Sequence, residues 1–302
     1  PEPMGAAAGM MLQAAACIAG NNAVSIKRLP NTTGMKNEIV FKRSHKNEFV
    51  RVWQQAGAKL VLTGGNSGDI EAAITEKTSA LAFVASRWIP DSFDGLDELI
   101  HIGRVYSLPV IVDAAAMLPP PENLRRFVEH GADMVAFSGG KAIRGPQSAG
   151  ILCGREDLIE AARLNASPND NIGRPAKVCK EEIVGLIVAL ERYIARDHTS
   201  DRRRWLGQCQ TIVDALAEIP SLAVNIEQDD WARPVPEVSI RLNSQWGGPR
   251  AEKIMDTLAS GDPGIMIGAN LRSGEDLFVN PHALAPGEAE LVAKRLLTVM
   301  TP

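Results

Sequence analysis

Short apolar segments alternate with helical patterns through the first half of the chain, and this alternation constrains the fold most. The strand candidates are nearly all apolar and cover residues 38–42, 59–63, 79–85, 109–113, 133–137 and 148–153. The helical patterns cover residues 5–19, 45–56, 69–74, 96–106 and 123–130. Apolar strands of this kind are covered on both faces. The alternation therefore predicts βαβ units and an α/β fold, in which a mostly parallel sheet lies between two helical layers.

The pattern changes after residue 154, where helices become longer and strands fewer. Helical patterns cover residues 156–164, 181–195, 204–218, 250–259 and 287–300, and strand candidates cover 223–226 and 237–242. This composition is typical of a smaller α+β unit. We place the domain boundary in a charged helix junction, which divides a large domain (residues 1–195) from a small C-terminal domain (residues 196–302).

The charge balance argues against a protein that binds nucleic acid. The 32 Lys and Arg residues against 36 Asp and Glu residues give a net charge of −4, whereas nucleic-acid binders usually carry a basic excess. No signal-peptide pattern and no apolar run of bilayer length is present. The four cysteines form no C-x-x-C pair. We therefore expect a cytoplasmic protein with free thiols, no metal site, and neither a membrane nor a nucleic-acid partner.

Two strand ends carry the candidate catalytic residues. Asp113 ends an apolar strand and is followed by three alanines, and Lys141 follows the next strand in Ser138-Gly-Gly-Lys. Ligands bind at the carboxyl ends of the strands in an open parallel sheet. Because the two residues lie one βαβ step apart, we expect both side chains in one crevice. The alternatives are a helix N-cap for Asp113 and a solvent-facing loop position for Lys141.

This pair suits the chemistry of pyridoxal 5'-phosphate. Burial at a strand end would lower the pKa of Lys141, and a neutral amine can form a Schiff base with an aldehyde. A carboxylate beside the pyridine nitrogen keeps that nitrogen protonated and makes the ring an electron sink. The two glycines before Lys141 would let the backbone approach a ligand closely.

The segment 109–190 resembles the pyridoxal-phosphate enzymes of the selenocysteine-synthase-like group, and within it the D-glucosaminate-6-phosphate ammonia-lyase branch. The motifs that carry the resemblance are Val-Asp113-Ala-Ala, Phe-Ser138-Gly-Gly-Lys141, Arg144-Gly-Pro-Gln147 and the segment from Gly173 through Lys180-Glu-Glu. The resemblance implies the aspartate-aminotransferase fold (fold type I) and pyridoxal phosphate as cofactor. It also implies an active site at a subunit interface, and hence a homodimer or a higher homo-oligomer.

The resemblance extends from about Gly5 to the C-terminus. Members of the group carry a substantial segment before their phosphate-binding turn, whereas this chain begins four residues before it. On this comparison we expect an N-terminal segment to be missing.

The resemblance assigns further residues to the cofactor, namely Gly5, Ala6, Ala7, Ala8, His45, Ser86, Ala115 and Ser138. The turn at residues 5–8 would bind the phosphate through backbone N–H groups at a helix N-terminus, and Ser138 would add a hydroxyl. His45 would lie against the cofactor ring, Ala115 beneath it, and Ser86 near its 3′ oxygen. The alternatives are a packing turn at residues 5–8 and a structural role for His45.

Four basic residues are candidates to bind an anionic substrate, namely Arg144, Arg174, Lys177 and Arg272. An arginine offers a bidentate fork and a lysine offers a point charge to a carboxylate or phosphate. For Arg174 and Lys177 the alternative is surface salt bridges with Glu181 and Glu182.

The resemblance implies a lyase that performs α,β-elimination on an amino acid. Lys141 would remove the α-proton, Asp113 would stabilise the resulting charge, and loss of a β-hydroxyl would lead to a 2-keto acid and ammonia. An anionic amino-sugar acid such as D-glucosaminate 6-phosphate would suit the basic residues. The same pair is compatible with aminotransfer, racemisation or selenium transfer, although the net charge disfavours a tRNA substrate. A third hypothesis is a non-catalytic scaffold with the same fold.

Overall fold

The structure is a computed structural model and describes residues 3–86, 89, 93–219, 221–229, 234–270 and 276–301. The chain forms two compact units, and the division falls between Arg196 and Asp197. We describe each unit by itself.

The first unit contains a six-stranded sheet and the helices that cover it. Its strands are β1 (Glu38–Lys42), β2 (Lys59–Thr63), β3 (Thr78–Val84), β4 (Val110–Asp113), β5 (Met134–Ser138) and β6 (Gly150–Gly154). Its helices are α1 (Gly5–Ala19), α2 (Ala23–Arg28), α3 (Ser67–Ala73), α4 (Phe93–Tyr106), α5 (Asn123–His130), α6 (Glu156–Asn165) and α7 (Lys180–Ile194). Short 3₁₀ segments cover Arg43–His45, Val50–Ala56 and Arg174–Ala176.

The sheet has the strand order β2-β1-β3-β4-β5-β6. The first five strands are parallel, and β6 runs antiparallel to β5. The predicted mostly parallel sheet is therefore confirmed. Asp113 at the end of β4 lies beside Val84 of β3 and Ala136 of β5, so the carboxyl ends of three neighbouring strands meet at this point.

Helices pack on both faces of the sheet, and the alternation of side chains along β5 shows how. Met134 and Ala136 belong to the core that includes α1 and α6. Phe137 points to the opposite face, where its ring lies 6.1 Å from that of Phe127 in α5. Because successive strand residues face opposite sides, both faces of an apolar strand are covered, which confirms the three-layer αβα architecture.

The helix predicted over residues 45–56 is confirmed only in part, as the 3₁₀ helix Val50–Ala56. The short 3₁₀ segment Arg43–His45 precedes it, and Asn47 lies between the two. The side-chain oxygen of Asn47 accepts the backbone N–H groups of Phe49 at 2.8 Å and Val50 at 3.2 Å. Asparagine offers the backbone this local alternative to helical hydrogen bonds. The helix predicted to begin at Asp69 is instead capped by Asn66, which accepts the Asp69 N–H at 2.9 Å.

The second unit is an α+β arrangement. Its antiparallel sheet has the order β7-β8-β10-β9, formed by β7 (Leu222–Glu227), β8 (Glu237–Leu242), β9 (Gly268–Asn270) and β10 (Asp276–Val279). Its helices are α8 (His198–Leu216), α9 (Ala251–Ala259) and α10 (Glu288–Met300). The strands β9 and β10 were not predicted, because segments this short show no periodicity. Among the described residues of the whole chain, no helix is both long and apolar enough to cross a membrane.

Candidate active site

Asp113 is a buried carboxylate at the carboxyl end of β4. Its side chain is 6% exposed, and the backbone N–H of Ala115 donates to Asp113 Oδ1 at 3.0 Å. Burial raises the pKa of Asp113, because desolvation disfavours the charged form, while the Ala115 N–H and the positive charge of Lys141 oppose this rise. The N-cap alternative is wrong, since the next helix begins only at Asn123.

Lys141 lies in the connection between β5 and β6, on the same sheet edge as Asp113. Its side chain is exposed, so the burial predicted for it is wrong. The reason is local, because the chain turns after Ser138 instead of continuing as a strand. The N–H of Gly145 donates to the carbonyl of Gly139 at 2.9 Å, and that of Arg144 to the carbonyl of Lys141 at 2.9 Å. We call residues 139–149 the lysine loop.

Arg144 has a left-handed backbone conformation with φ of 60°, which is uncommon for a residue with a side chain. Its exposed side chain leaves the turn three residues after Lys141. Strained residues of this kind concentrate at functional sites. The structure thus places Arg144, as a candidate substrate residue, beside the candidate catalytic lysine.

The glycines before Lys141 are required by packing within the protein. A Cβ on Gly139 would lie 2.6 Å from Leu186 Cδ1, and one on Gly140 would lie 2.7 Å from the Gln147 Cα. Both distances are too short for carbon atoms. The two glycines thus allow the lysine loop to approach itself and α7 closely, and their predicted approach to a ligand stays a prediction.

The glycine turn at the start of α1 lies against the end of the lysine loop. Met4 forms an antiparallel bridge with Ala149, and Gly5 has a φ of 70°. A Cβ on Gly150 would lie 2.5 Å from the Gly5 carbonyl carbon. The first backbone N–H groups of α1 therefore begin next to the loop that carries Lys141. Ala6 is buried, Ala7 is exposed, and Gly5 and Ala8 are half-buried.

Replacing Gly150 with alanine tests this contact. The added methyl group meets the Gly5 backbone, which cannot rotate away, so we expect the free energy of unfolding to fall by about 1–3 kcal/mol in a denaturant titration. Gly207→Ala in α8 is the matched control, because nothing lies within 4 Å of its added Cβ. A helical alanine there is expected to stabilise by about 0.5–1 kcal/mol. Equal stability of Gly150→Ala and the original protein would contradict the close packing.

His45 and Ser86 extend the site along the sheet edge toward β1 and β3. His45 is fully buried, its Nδ1 accepts the N–H of Val84 at 3.2 Å, and its ring meets Phe83 edge to face at 4.7 Å. Ser86 is half-buried and follows β3. The half-buried Ala115 and Ser138 follow β4 and end β5. The structure therefore assembles the predicted cofactor residues along one edge of the sheet.

Arg174 and Lys177 are the next basic candidates. Within the described part of the chain, no contact joins either of them to the predicted cofactor residues. Arg174 is exposed and donates from Nη1 to Ser167 Oγ at 2.8 Å, and Lys177 is exposed. The alternative prediction for Arg174 was a surface salt bridge with Glu181 or Glu182. The structure shows the hydrogen bond to Ser167 in its place. Arg272 lies outside the described residues.

Sequence reasoning missed Glu182 and Ser148, which join α7 to the lysine loop. Glu182 Oε2 accepts the N–H of Cys179 at 2.8 Å, and the Ser148 hydroxyl donates to Glu182 Oε1. The Ser148 hydrogen bond holds the pKa of Glu182 below its usual value. The signal was a glutamate three residues after the helix N-cap, which is a capping-box pattern.

Comparisons with known proteins show which proteins this chain is similar to. A family model described as SelA, L-seryl-tRNA selenium transferase, matches residues 9–242. The 5'-C-glycyluridine monooxygenase-decarboxylase of a Streptomyces species is 35% identical over 97% of this chain and 74% of its own length. The D-glucosaminate-6-phosphate ammonia lyase of Salmonella typhimurium is 31% identical over 96% of this chain and 78% of its own length. A solved structure of D-glucosaminate-6-phosphate ammonia-lyase has a TM-score of 0.78 and 30% identity, and the match covers 99% of this chain and 80% of that one.

Proposed function

The chain belongs to the SelA family, and on that premise we propose that it is a lyase that releases ammonia from an anionic amino acid by α,β-elimination. It is an enzyme of fold type I, and its cofactor is pyridoxal 5'-phosphate. The observation that carries the proposal is the buried carboxylate of Asp113 beside the strand that leads to the exposed amine of Lys141. The similarity to an ammonia lyase in both sequence and structure supports the reaction type.

The residues of the sheet edge fit this cofactor. Asp113 is a buried carboxylate, which would hold the pyridine nitrogen in its protonated form. The glycine turn at Gly5 offers backbone N–H groups at a helix N-terminus, where a phosphate dianion binds well. Ser138 would add a hydroxyl, and His45, Ser86 and Ala115 would flank the ring. When bound, pyridoxal phosphate supplies an electron sink for negative charge at the substrate α-carbon.

Lys141 would act as the base of the reaction. Its side chain is exposed at the edge of the sheet. In its neutral form it would take the proton from the substrate α-carbon, which is general-base catalysis. Asp113 would keep the pyridine nitrogen of the cofactor protonated, and this nitrogen would stabilise the negative charge left on the substrate. The β-hydroxyl would leave with a proton as water, and hydrolysis of the resulting enamine by water would give the 2-keto acid and ammonia.

The substrate that suits this site is an anionic amino-sugar acid such as D-glucosaminate 6-phosphate. Arg144 would bind its anionic end beside Lys141, because an arginine fork can pair with a phosphate or carboxylate at two points. Arg174, Lys177 and Arg272 are further candidates for the same role.

Oxidative decarboxylation is a second candidate reaction, favoured by the 35% identity with the glycyluridine enzyme. Both reactions would begin at the same pair of residues and differ in the bond that breaks. Selenium transfer or aminotransfer is the third, and the family model itself is described by a selenium transferase.

One assay separates these reactions. The purified protein with its cofactor is incubated with D-glucosaminate 6-phosphate and with a panel of D- and L-amino acids, while ammonia, carbon dioxide and dissolved oxygen are measured. We expect ammonia and a 2-keto acid without oxygen consumption. Oxygen uptake with carbon dioxide release would favour the decarboxylase, and a requirement for a keto-acid co-substrate would favour aminotransfer. An unchanged visible spectrum with every substrate would favour the non-catalytic scaffold.

We also propose that the enzyme is at least a homodimer. Apolar side chains are exposed on one helix of the first unit, namely Val184, Ile187, Val188 and Ile194 of α7, and exposed apolar patches often mark subunit contacts. Light scattering at micromolar concentration is expected to give twice the mass of one chain or more. A monomer under these conditions would contradict the proposal.

A further inference from the structure

A fully buried amide, Gln13, lies in the middle of the Ala-rich helix α1. Its Nε2 donates to the carbonyl of Val112 at 3.0 Å and to that of Met134 at 3.3 Å. Its Oε1 accepts the indole N–H of Trp53 at 3.3 Å. A buried amide destabilises a core unless its groups are paired, and here both ends of the amide have partners.

The two carbonyls belong to the strands that carry the catalytic pair. Val112 directly precedes Asp113 on β4, and Met134 begins β5, which leads to Lys141. The helix that holds Gln13 begins at the Gly5 turn, about 12 Å away along its axis at 1.5 Å per residue. One side chain thus connects the helix that starts at the phosphate-binding turn with both strands of the site.

The rest of the sheet-facing stripe of α1 is made of small residues. The same helix face as Gln13, at helical spacing, carries Ala6, Gly9 and Ala16. A Cβ on Gly9 would lie 3.3 Å from the Ala136 Cβ of β5. Small side chains let the helix approach the sheet closely, but they form only shallow ridges and grooves. The directional hydrogen bonds of Gln13 to β4 and β5 therefore resist a slide of α1 along the sheet, in addition to the packing of the larger buried residues Met10, Leu12 and Ile18.

We infer that Gln13 is a positioning residue that fixes the Gly5 turn relative to Asp113 and thereby sets the affinity of the site for the cofactor phosphate. Gln13 touches neither the cofactor site nor the substrate and acts through α1. The inference rests on the proposed function, because it takes the Gly5 turn as the phosphate site. A site must hold its groups to within about 0.5 Å of the productive geometry, so a small slide of α1 is enough to weaken phosphate binding.

The test compares two ligands, pyridoxal 5'-phosphate and pyridoxal, which differ only in the phosphate. Their dissociation constants are measured by visible absorption on the cofactor-free protein. We expect Gln13→Met, which keeps the length of the side chain and loses its hydrogen bonds, to reduce the preference for the phosphorylated ligand by about tenfold or more. Gln13→Asn, which shortens the side chain by one carbon, is expected to reduce this preference by about threefold. It replaces Gln13→Met in the test if that variant fails to fold.

Leu12→Ala is the matched control on the same helix. Leu12 is buried on the side of α1 that faces Gly173, and it makes none of the hydrogen bonds of Gln13 to β4 and β5. This variant is expected to lower the melting temperature while leaving the preference for the phosphorylated ligand within about twofold. Gln13 variants that keep the preference of the original protein would overturn the inference. An original protein with no preference for the phosphorylated ligand would instead overturn the cofactor site on which the inference rests.

Discussion

Replacement of Lys141 by alanine is expected to reduce turnover by about 10²–10⁴-fold or more. The variant loses both the amine that would attach the cofactor and the base that would take the α-proton. Its fold is expected to survive, because the side chain is exposed and exposed substitutions change the free energy of unfolding by only about 0.5 kcal/mol. The measurements are the visible absorption of the lysine-bound cofactor, which should disappear, and the rate of ammonia release.

The control for this variant is Lys180→Ala, which removes another exposed lysine at the start of α7. It is expected to keep both the absorption band and the rate. Small primary amines added to Lys141→Ala are expected to restore part of the rate, because the space left by the side chain is open to solvent. A Lys141→Ala protein with the original band and full turnover would refute the assignment of this residue.

Replacement of Asp113 by asparagine is expected to separate activity from stability. Without the carboxylate, the pyridine nitrogen of the cofactor is no longer held in its protonated form. We therefore expect kcat to fall by about 10²–10³-fold, which is the usual effect of removing one group that stabilises charge in the transition state. The cofactor-free protein, in contrast, is expected to gain about 0.5–2 kcal/mol in its free energy of unfolding at neutral pH.

The gain in stability follows from the raised pKa of Asp113. Burial places the pKa in the folded protein above the value of about 3.9 in the unfolded chain. Between these two values the folded protein holds a proton that the unfolded chain has released. The stability from this group is therefore fully present below the unfolded pKa and is lost as the pH rises through the folded pKa. The neutral amide does not suffer this loss.

Denaturant titrations of the cofactor-free proteins at several pH values measure this effect. The advantage of Asp113→Asn over the original protein should grow as the pH rises from about 4 toward neutrality. Asp170→Asn is the control, because Asp170 is a surface carboxylate paired with the exposed Lys27, and its effect should stay within about 0.5 kcal/mol. A pH-independent difference for Asp113→Asn would contradict the burial of a charged group.

The sequence predicted those parts of the fold that depend on local periodicity. The helix Gly5–Ala19, the strands Glu38–Lys42 and Lys59–Thr63 and the helix Asn123–His130 lie at the predicted positions. Periodicity could not show that Asn47 interrupts the next helix, because that outcome depends on one side chain and two backbone N–H groups. It also missed β9 and β10, because β10 is stabilised by pairing with β8 and β9 by pairing with β10.

The position of the candidate site could be predicted from the sequence as far as the order of the strands could be. Asp113 and Lys141 follow consecutive apolar strands, and parallel strands place their carboxyl ends on one edge. The exposure of Lys141 was not predictable, since it depends on the turn that the chain makes after Ser138, which the apolar pattern of the preceding strand does not show. Gln13 gave a signal that went unused, because a long amide in a run of apolar residues is unexpected unless it is paired.

The contact between the Gly5 turn and Gly150 has a consequence for the order in which the site can form. The two glycines belong to the first helix and the last strand of the first unit, so closing this contact costs the loop entropy of nearly the whole unit. During synthesis the turn emerges first, and its partner strand emerges only after β5 and the lysine loop. The Gly5 turn, which we propose as the phosphate site, therefore reaches its final place only when the sheet is complete. A cofactor that binds there recognises the finished unit and shifts the folding equilibrium of all of it.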